Sequence, residues 1–352
     1  MTDLFSANSL LFPFILSLII GISFGIPAAL LAKRLGIVDI PNSAPHKKHK
    51  QPTPLAGGLL IIFTLIVMAI LFRQSVSREI FAIFGGTIII FFFGLWDDMR
   101  GLSAIPKLVG QILASGILIS WGVQVHFMTY FAVLGYIPAP FAELLNIFIT
   151  LFWLLGITNA FNMIDSMDGI VAGLGVIASA FFMVATNLAG QSVISFWSTV
   201  LLGMNGALYF WNGLKSRFFL GDSGAQTIGF LLASVGILYN PLNRNPESSW
   251  IVPIMLLGIP IFDTTLVVLS RLKRKQPVGT GRRDHTYHRL IALGLSPKYA
   301  VLVNHLIALM VSYLAFLTLS LSPLTAFIFF FSTILCGIIF LLWLERKPTL
   351  DE

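Results

Sequence analysis

The sequence predicts an all-α fold, a polytopic bundle of helices embedded in a membrane, and three observations carry the prediction. First, 57% of the 352 residues are hydrophobic and only 11% are charged, whereas soluble domains carry about 25% charged residues. Second, apolar segments recur at 8–31, 55–72, 80–96, 107–125, 146–164, 168–187, 194–213, 221–239, 251–270, 299–319 and 322–343. Each is near the length a helix needs to cross the hydrocarbon core, and several are too long for the alternating strands of a membrane barrel. Third, with the N-terminus outside and the C-terminus cytoplasmic, eleven spans place every one of the 22 Lys and Arg except Arg73, Arg78 and Arg244 inside, as the positive-inside rule asks. The expectation is one membrane domain over 1–352 with about eleven spans, ten being the alternative.

Taken in order, the first span lacks a basic leader and is followed by Lys33 and Arg34, so it reads as a retained anchor and not a cleaved signal. In loop 32–54, Pro41, Pro52 and Pro54 oppose a long helix. The run from His46 to Lys50 would by itself serve as a positive-inside anchor. Gly57 and Gly58 then suit close packing or ligand approach. Span 80–96 ends in Asp97 and Asp98, adjacent carboxylates that repel each other and favour a nearby cation. Lys107 and Gln111 follow one turn apart. Segment 127–145 is interrupted by Pro138 and Pro140 and reads as an outside loop with a short interfacial helix.

Between two apolar runs, Asn159, Asn162, Asp165 and Asp168 recur every three residues, one drifting polar face of a helix. Ionisable groups within such a chain pair, line a polar cavity or bind something. They form either a polar helix seam or an acidic, amide-rich site for a cation and a polar substrate. Gly221, Asp222, Ser223 and Gly224 open the next polar-to-apolar transition. There Asp222 or Ser223 can cap the helix, exposed N–H groups can meet an anion, and Asp222 can meet a metal. Asp263 is buried in span 251–270, with Arg271 two turns on and roughly on the same face. Loop 271–289 carries seven Lys or Arg and two His, among them Arg282, His285, His288 and Arg289. Guanidinium and imidazole in that density suit oxygen anions, with a zinc pair at His285 and His288 as the alternative. The last two spans read as structural, and the single cysteine, Cys336, excludes an intramolecular disulfide.

Eleven of the 15 acidic residues fall inside or at inside helix ends. A transporter is expected to put its polar site at the midplane, on helices broken toward both sides. An enzyme acting on a soluble anionic substrate fits the asymmetry better: carboxylates hold Mg²⁺, basic residues hold phosphates, and apolar helices admit a lipid. Loops 32–54, 97–106, 213–220 and 271–298 would form its active-site face. The net charge of +7 then belongs to loops against anionic lipid or substrate, and nucleic acid is not an expected partner. A polytopic transporter and a non-enzymatic polysaccharide-assembly protein are the competing readings.

These motifs resemble those of the polyprenyl-phosphate N-acetylhexosamine-1-phosphate transferases. They are the Pro-Thr-Pro loop before Gly57 and Gly58, the Asp97–Asp98 pair, the Asn159 to Gly169 stretch, Gly221-Asp222-Ser223-Gly224, Asp263 with Arg271, and His285-x-x-His288-Arg289. The resemblance implies transfer of a sugar-1-phosphate from a UDP-N-acetylhexosamine to undecaprenyl phosphate, with release of UMP, at the cytoplasmic face of the inner membrane. It implies Mg²⁺, with Mn²⁺ able to substitute, and Asp222 as principal ligand beside Asp98 and Asn162. Asp97 would engage or deprotonate the lipid phosphate, with Asp98 in support, or as nucleophile in a two-step route. Asn159, Asn162, Asp165, Asp168 and Lys107 would line the substrate pocket, and Asp263 and Arg271 would order it. Lys50, Arg282, His285, His288 and Arg289 would contact or neutralise the diphosphate. Membrane lipids and a second copy of the chain, as a homodimer, are the other expected partners. Ser166 stands where the family often has Gly, Tyr287 replaces the middle of a histidine cluster, and the triple histidine of the peptidoglycan translocase is absent. This points away from a MurNAc-pentapeptide donor and toward a simpler sugar, UDP-GlcNAc by default, with UDP-GalNAc or a deoxy-sugar donor as the alternatives.

Overall fold

The computed structural model describes residues 7–41, 51–241, 246–277, 279 and 282–350. Its helices are α1 (Ala7–Arg34), α2 (Gly57–Leu71), α3 (Arg78–Arg100), α4 (Ala104–Ser120), α5 (Phe127–Val133), α6 (Ala139–Ile164), α7 (Ile170–Leu188) and α8 (Ser192–Leu208). They continue as α9 (Gly221–Leu238), α10 (Pro246–Ser249), α11 (Ile251–Leu256), α12 (Gly258–Lys273), α13 (Thr286–Ala292), α14 (Pro297–Thr318) and α15 (Pro323–Glu345). Two two-residue strands, β1 (Val38–Asp39) and β2 (Thr53–Pro54), pair antiparallel between α1 and α2. The protein is an all-α, membrane-spanning bundle. Among the described residues seven helices are long and apolar enough to cross a membrane, and α2 and α4 are shorter apolar helices.

Each of the eleven expected spans falls on helix, with one divided. Span 251–270 breaks at Leu257 into α11 and α12. Pro260 explains the break, because its ring clashes with the carbonyl four residues back and it lacks an N–H to donate. Segment 127–145 holds the expected short helix, α5, and also the first turns of α6, which starts at the proline-rich step Pro138–Pro140. There proline suits a helix's first turn.

The bundle's core is built from α1 against α8, α7 against α8, and α3 and α6 against α9. Helix α9 is the most enclosed, buried at every position from Ser223 to Ile237. Its N-terminus sits where three elements meet. A Cβ on Gly58 would lie 2.5 Å from Ser223 Oγ, and one on Gly94 would lie 2.6 Å from Ser223 Cα. The loop before α9 is tied to the α1–α2 loop through Phe219, whose N–H donates to Pro54 O and whose carbonyl accepts from Ala56. At the opposite end Trp197 donates to Ser75 O and Gln191 donates to Leu238 O. The bundle therefore has two distinct ends, and the tight glycine-mediated packing is at the end where α9 begins.

Replacing Gly94 by Ala sets a methyl against backbone that cannot yield as a flexible side chain does. Gly94→Ala is expected to lower stability by about 1–3 kcal/mol, measured as the thermal unfolding midpoint of the detergent-solubilised protein.

Candidate active site

The first N–H groups of any helix lack intrahelical partners, and at α9 those of Asp222 and Ser223 are supplied from another helix. Asp98, near the end of α3, accepts from Asp222 N at 2.7 Å through Oδ1. Its Oδ2 accepts from Ser223 N at 3.1 Å and from Ser223 Oγ at 2.5 Å. The approach requires Gly221, which has φ of +71° and would bring a Cβ within 2.6 Å of Asp98 Oδ2. Asp98 is thus the cap of α9. This corrects one expectation, a cap from Asp222 or Ser223.

With the start of α9 capped by Asp98, the Asp222 carboxylate meets Lys107 and, through it, Asp97. Lys107 Nζ bridges the two acids, 2.5 Å from Asp97 Oδ2 and 2.7 Å from Asp222 Oδ2. Asp97 Oδ1 also accepts from Leu102 N. Gln226, one turn along α9, donates to Asp222 Oδ2 at 3.2 Å. Gln111 then joins Gln226 at 3.0 Å and exchanges two bonds with Asn159, at 3.1 and 2.7 Å. Asn162 lies within hydrogen-bonding reach of Asp222. A polar row therefore crosses α3, α4, α9 and α6. Gln226 is a participant that sequence reading passed over; its signal was its place four residues after Asp222 in an apolar helix.

The α6–α7 loop supplies the next layer. Gly169 has φ of +80°, and its N–H donates to Asn212 Oδ1 at 2.8 Å. Asn212 sits in the π-helical turn Tyr209–Leu214 and donates in turn to Phe218 O. Asp168 pairs with Ser216. Asp165 lies between the two halves of the site, in electrostatic reach of Asp222, Asp168 and Asp98 on one side and of Tyr287 on the other. Burial, and then the charges of Asp222, Asp168 and Asp98, push its carboxyl well up from its ordinary value.

The other half is the α12–α13 loop. Asp263, fully buried, accepts from Thr286 N at 2.7 Å and pairs with His285 Nδ1 at 2.7 Å. Arg271 makes a two-pronged bond to Asp284, at 2.9 and 2.8 Å. Burial would raise the Asp284 carboxyl, but the Arg271 bonds overcome it and hold it below the usual range. His288 packs on Tyr287 with ring centroids 4.4 Å apart. Burial first, then the neighbouring charges of His285 and Arg283, lower His288 to about 3. Arg289 is fully buried and donates to the carbonyls of Leu344, Glu345 and Lys347. Arg282 is half-buried at the loop's start, and Lys50 lies outside the described residues.

With this geometry in hand, comparison with known proteins is informative. The family model described as glycosyl transferase family 4 matches residues 80–240. A probable undecaprenyl-phosphate N-acetylglucosaminyl 1-phosphate transferase of Bacillus subtilis is 32% identical over 289 residues, 80% of this chain and 77% of that protein. The chain belongs to glycosyl transferase family 4. A decaprenyl-phosphate N-acetylglucosaminephosphotransferase of Mycobacterium tuberculosis is 29% identical over 80% of this chain and 75% of its own. The undecaprenyl-phosphate alpha-N-acetylglucosaminyl 1-phosphate transferase of Escherichia coli K12 is 25% identical over 80% and 77%. The family 4 match contains the whole acidic half of the site, from Asp97 to Asp222, and ends before Asp263 and the histidine loop.

Two consequences are measurable. Asp98→Asn turns an amide N–H toward donors and is expected to lower stability by about 1–3 kcal/mol, whereas Asp222→Asn relieves carboxylate crowding and should leave the melting midpoint near wild type. His288, lowered in the folded state, stays neutral while the unfolded chain takes up a proton. Its contribution is complete above pH 6.5 and lost as pH falls toward 3, at roughly 1 kcal/mol per pH unit. His288→Gln should flatten that acid limb in pH-dependent unfolding.

Proposed function

We propose that this protein transfers N-acetylhexosamine-1-phosphate, GlcNAc-1-phosphate by preference, from a UDP-sugar to a polyprenyl phosphate such as undecaprenyl phosphate. It would act at the cytoplasmic face of the inner membrane, in the first membrane step of envelope polysaccharide synthesis. The observation that carries this reading is the convergence of Asp97, Lys107, Asp222 and Asp165 with the histidine loop at one end of an otherwise apolar bundle. The three relatives named above, each called a polyprenyl-phosphate N-acetylglucosamine phosphate transferase, support the donor and the acceptor. The basic residues clustered at this end support its cytoplasmic placement.

The surface beside the site suits a lipid acceptor. Trp96 and Met99 flank the acid pair, Ile105 and Leu108 flank Lys107, and all four are exposed. An isoprenoid chain lying on that apolar strip would bring its phosphate to Asp97 and Lys107. Asp97 would take the proton of a protonated lipid phosphate. Lys107, already a bridge between carboxylates, would hold phosphate oxygens. A lipid phosphate oxygen then bonds to the β-phosphorus of the UDP-sugar, the bond from that phosphorus to the bridging oxygen breaks, and UMP leaves with the electron pair. His285, held through Nδ1 by Asp263, would present Nε2 to the donor. His288 Nδ1 and Tyr287 Oη are buried without a hydrogen-bond partner; such groups ordinarily find one, and the polar sugar or diphosphate would provide it.

The donor set fits Mg²⁺. Asp97, Asp165, Asp168 and Asp222 are hard oxygen donors in excess of the one ammonium, Lys107, that joins Asp97 to Asp222, and Asn162 adds a carbonyl. Mg²⁺ usually keeps waters and substrate phosphates and takes one or two carboxylates from the protein. Asp222 would be its principal holder, with Asn162 and Asp165 beside it. When bound, the ion would neutralise charge developing on the phosphates.

The test supplies purified protein with undecaprenyl phosphate, Mg²⁺ and UDP-GlcNAc, with UDP-GalNAc in parallel, and measures UMP and the lipid-linked sugar diphosphate. Transfer dependent on lipid and Mg²⁺, reduced at least about 100-fold in Asp222→Asn, is the expected result. Solute flux across vesicles without UMP release would instead support a transporter, and full activity of Asp222→Asn in cells a non-enzymatic assembly role.

A further inference from the structure

The histidine loop is held from a direction that its own sequence does not suggest. Arg289 Nη1 reaches the last turn of α15, with Leu344 O at 2.9 Å, Lys347 O at 3.1 Å and Glu345 O at 3.3 Å. Leu344 and Glu345 lie in the last turn of α15 and Lys347 just beyond it, and a cation is favoured at such a terminus. Arg289 Nη2 donates to Ser270 Oγ at 2.7 Å, and Nε to Asp284 O at 3.1 Å. One buried guanidinium thus ties together α12, the loop, α13 and the end of α15. Two further links repeat the connection: Leu350 N donates to Arg283 O, and Lys273 pairs with Glu345. Leu341 and Leu344 of α15 also pack on Leu266 of α12, one turn from Asp263.

We infer that Arg289 is a positioning residue, and that residues 344–350 are a working part of the site because they fix the loop carrying His285 and His288. Arg289 is fully buried and acts through the groups it binds. Its fork sets where Asp284 and α13 lie, and with them the ring that Asp263 orients. The inference rests on the functional reading above for its catalytic consequence, and on the hydrogen bonds alone for the staple itself.

Deleting residues 346–352 removes the Lys347 carbonyl and the Leu350 amide and leaves every loop residue in place. In the detergent-solubilised chain, the amides of 283–290 should exchange about 10-fold faster with those of α3 and α9 unchanged. Transfer should show kcat about 100-fold lower, with KM for both substrates nearly constant. A purely structural role would reduce the yield of folded protein and spare kcat. Arg289→Lys, which keeps the charge and loses the fork, should give the same kinetic signature and carries the test if the truncated chain does not fold. Unchanged exchange over 283–290, or faster exchange with unchanged kcat, overturns the inference. A wild-type protein that transfers nothing would instead sink the functional reading, and the exchange measurement would still decide whether the staple holds the loop.

Discussion

The interaction on which the site depends is the capping of α9 by Asp98. A helix that begins against packed neighbours must have its first N–H groups satisfied by them. Asp98 satisfies two of them together with the Ser223 hydroxyl. The consequence reaches beyond stability. Fixing the start of α9 against the end of α3 places Asp97 and Asp222 on either side of Lys107. The glycines at 58, 94 and 221 belong to the same constraint, because any side chain there would hold the three elements apart. Adjacent acids in sequence thus divide the work: one builds the site and the other faces into it.

Around that anchor the charge is arranged unevenly. The α3–α9 half gathers carboxylates, and Asp165 extends the acidic field toward Tyr287. In the α12–α13 half these side chains are paired inward: Arg271 with Asp284, His285 with Asp263, and Arg289 with helix-end carbonyls. What that half offers a ligand is a set of rigidly held polar groups. Preorganisation of this kind is where electrostatic stabilisation of a reacting diphosphate has its source.

Much of the fold was legible before any coordinates. Segments long enough to span a membrane can satisfy their backbone there only as helices or a closed barrel, so the eleven apolar runs fell on helix. The break at Leu257 was not read, although Pro260 was in view, because a proline in a membrane helix is often tolerated where neighbours re-satisfy the backbone. Asp97, Lys107, Gln111, Asn159, Asn162 and Asp222 were likewise recognisable as polar residues in or beside apolar helices, and they do meet in one hydrogen-bonded row.

The sequence alone determined the class of fold, the end of the bundle where chemistry is concentrated, and the family resemblance that the comparisons bear out. Those properties follow from composition and local spacing, which each segment carries by itself. Only the tertiary structure decided partners. Asp98 and Asp97 are equivalent in a list of residues, as are Arg271, Arg282 and Arg289. Which acid caps a helix, and which guanidinium is spent on the end of α15, depends on segments far apart in the chain: Asp98 meets α9 across more than a hundred residues. A long-range pairing of this kind is set by how helices pack, and no local pattern of residues encodes it.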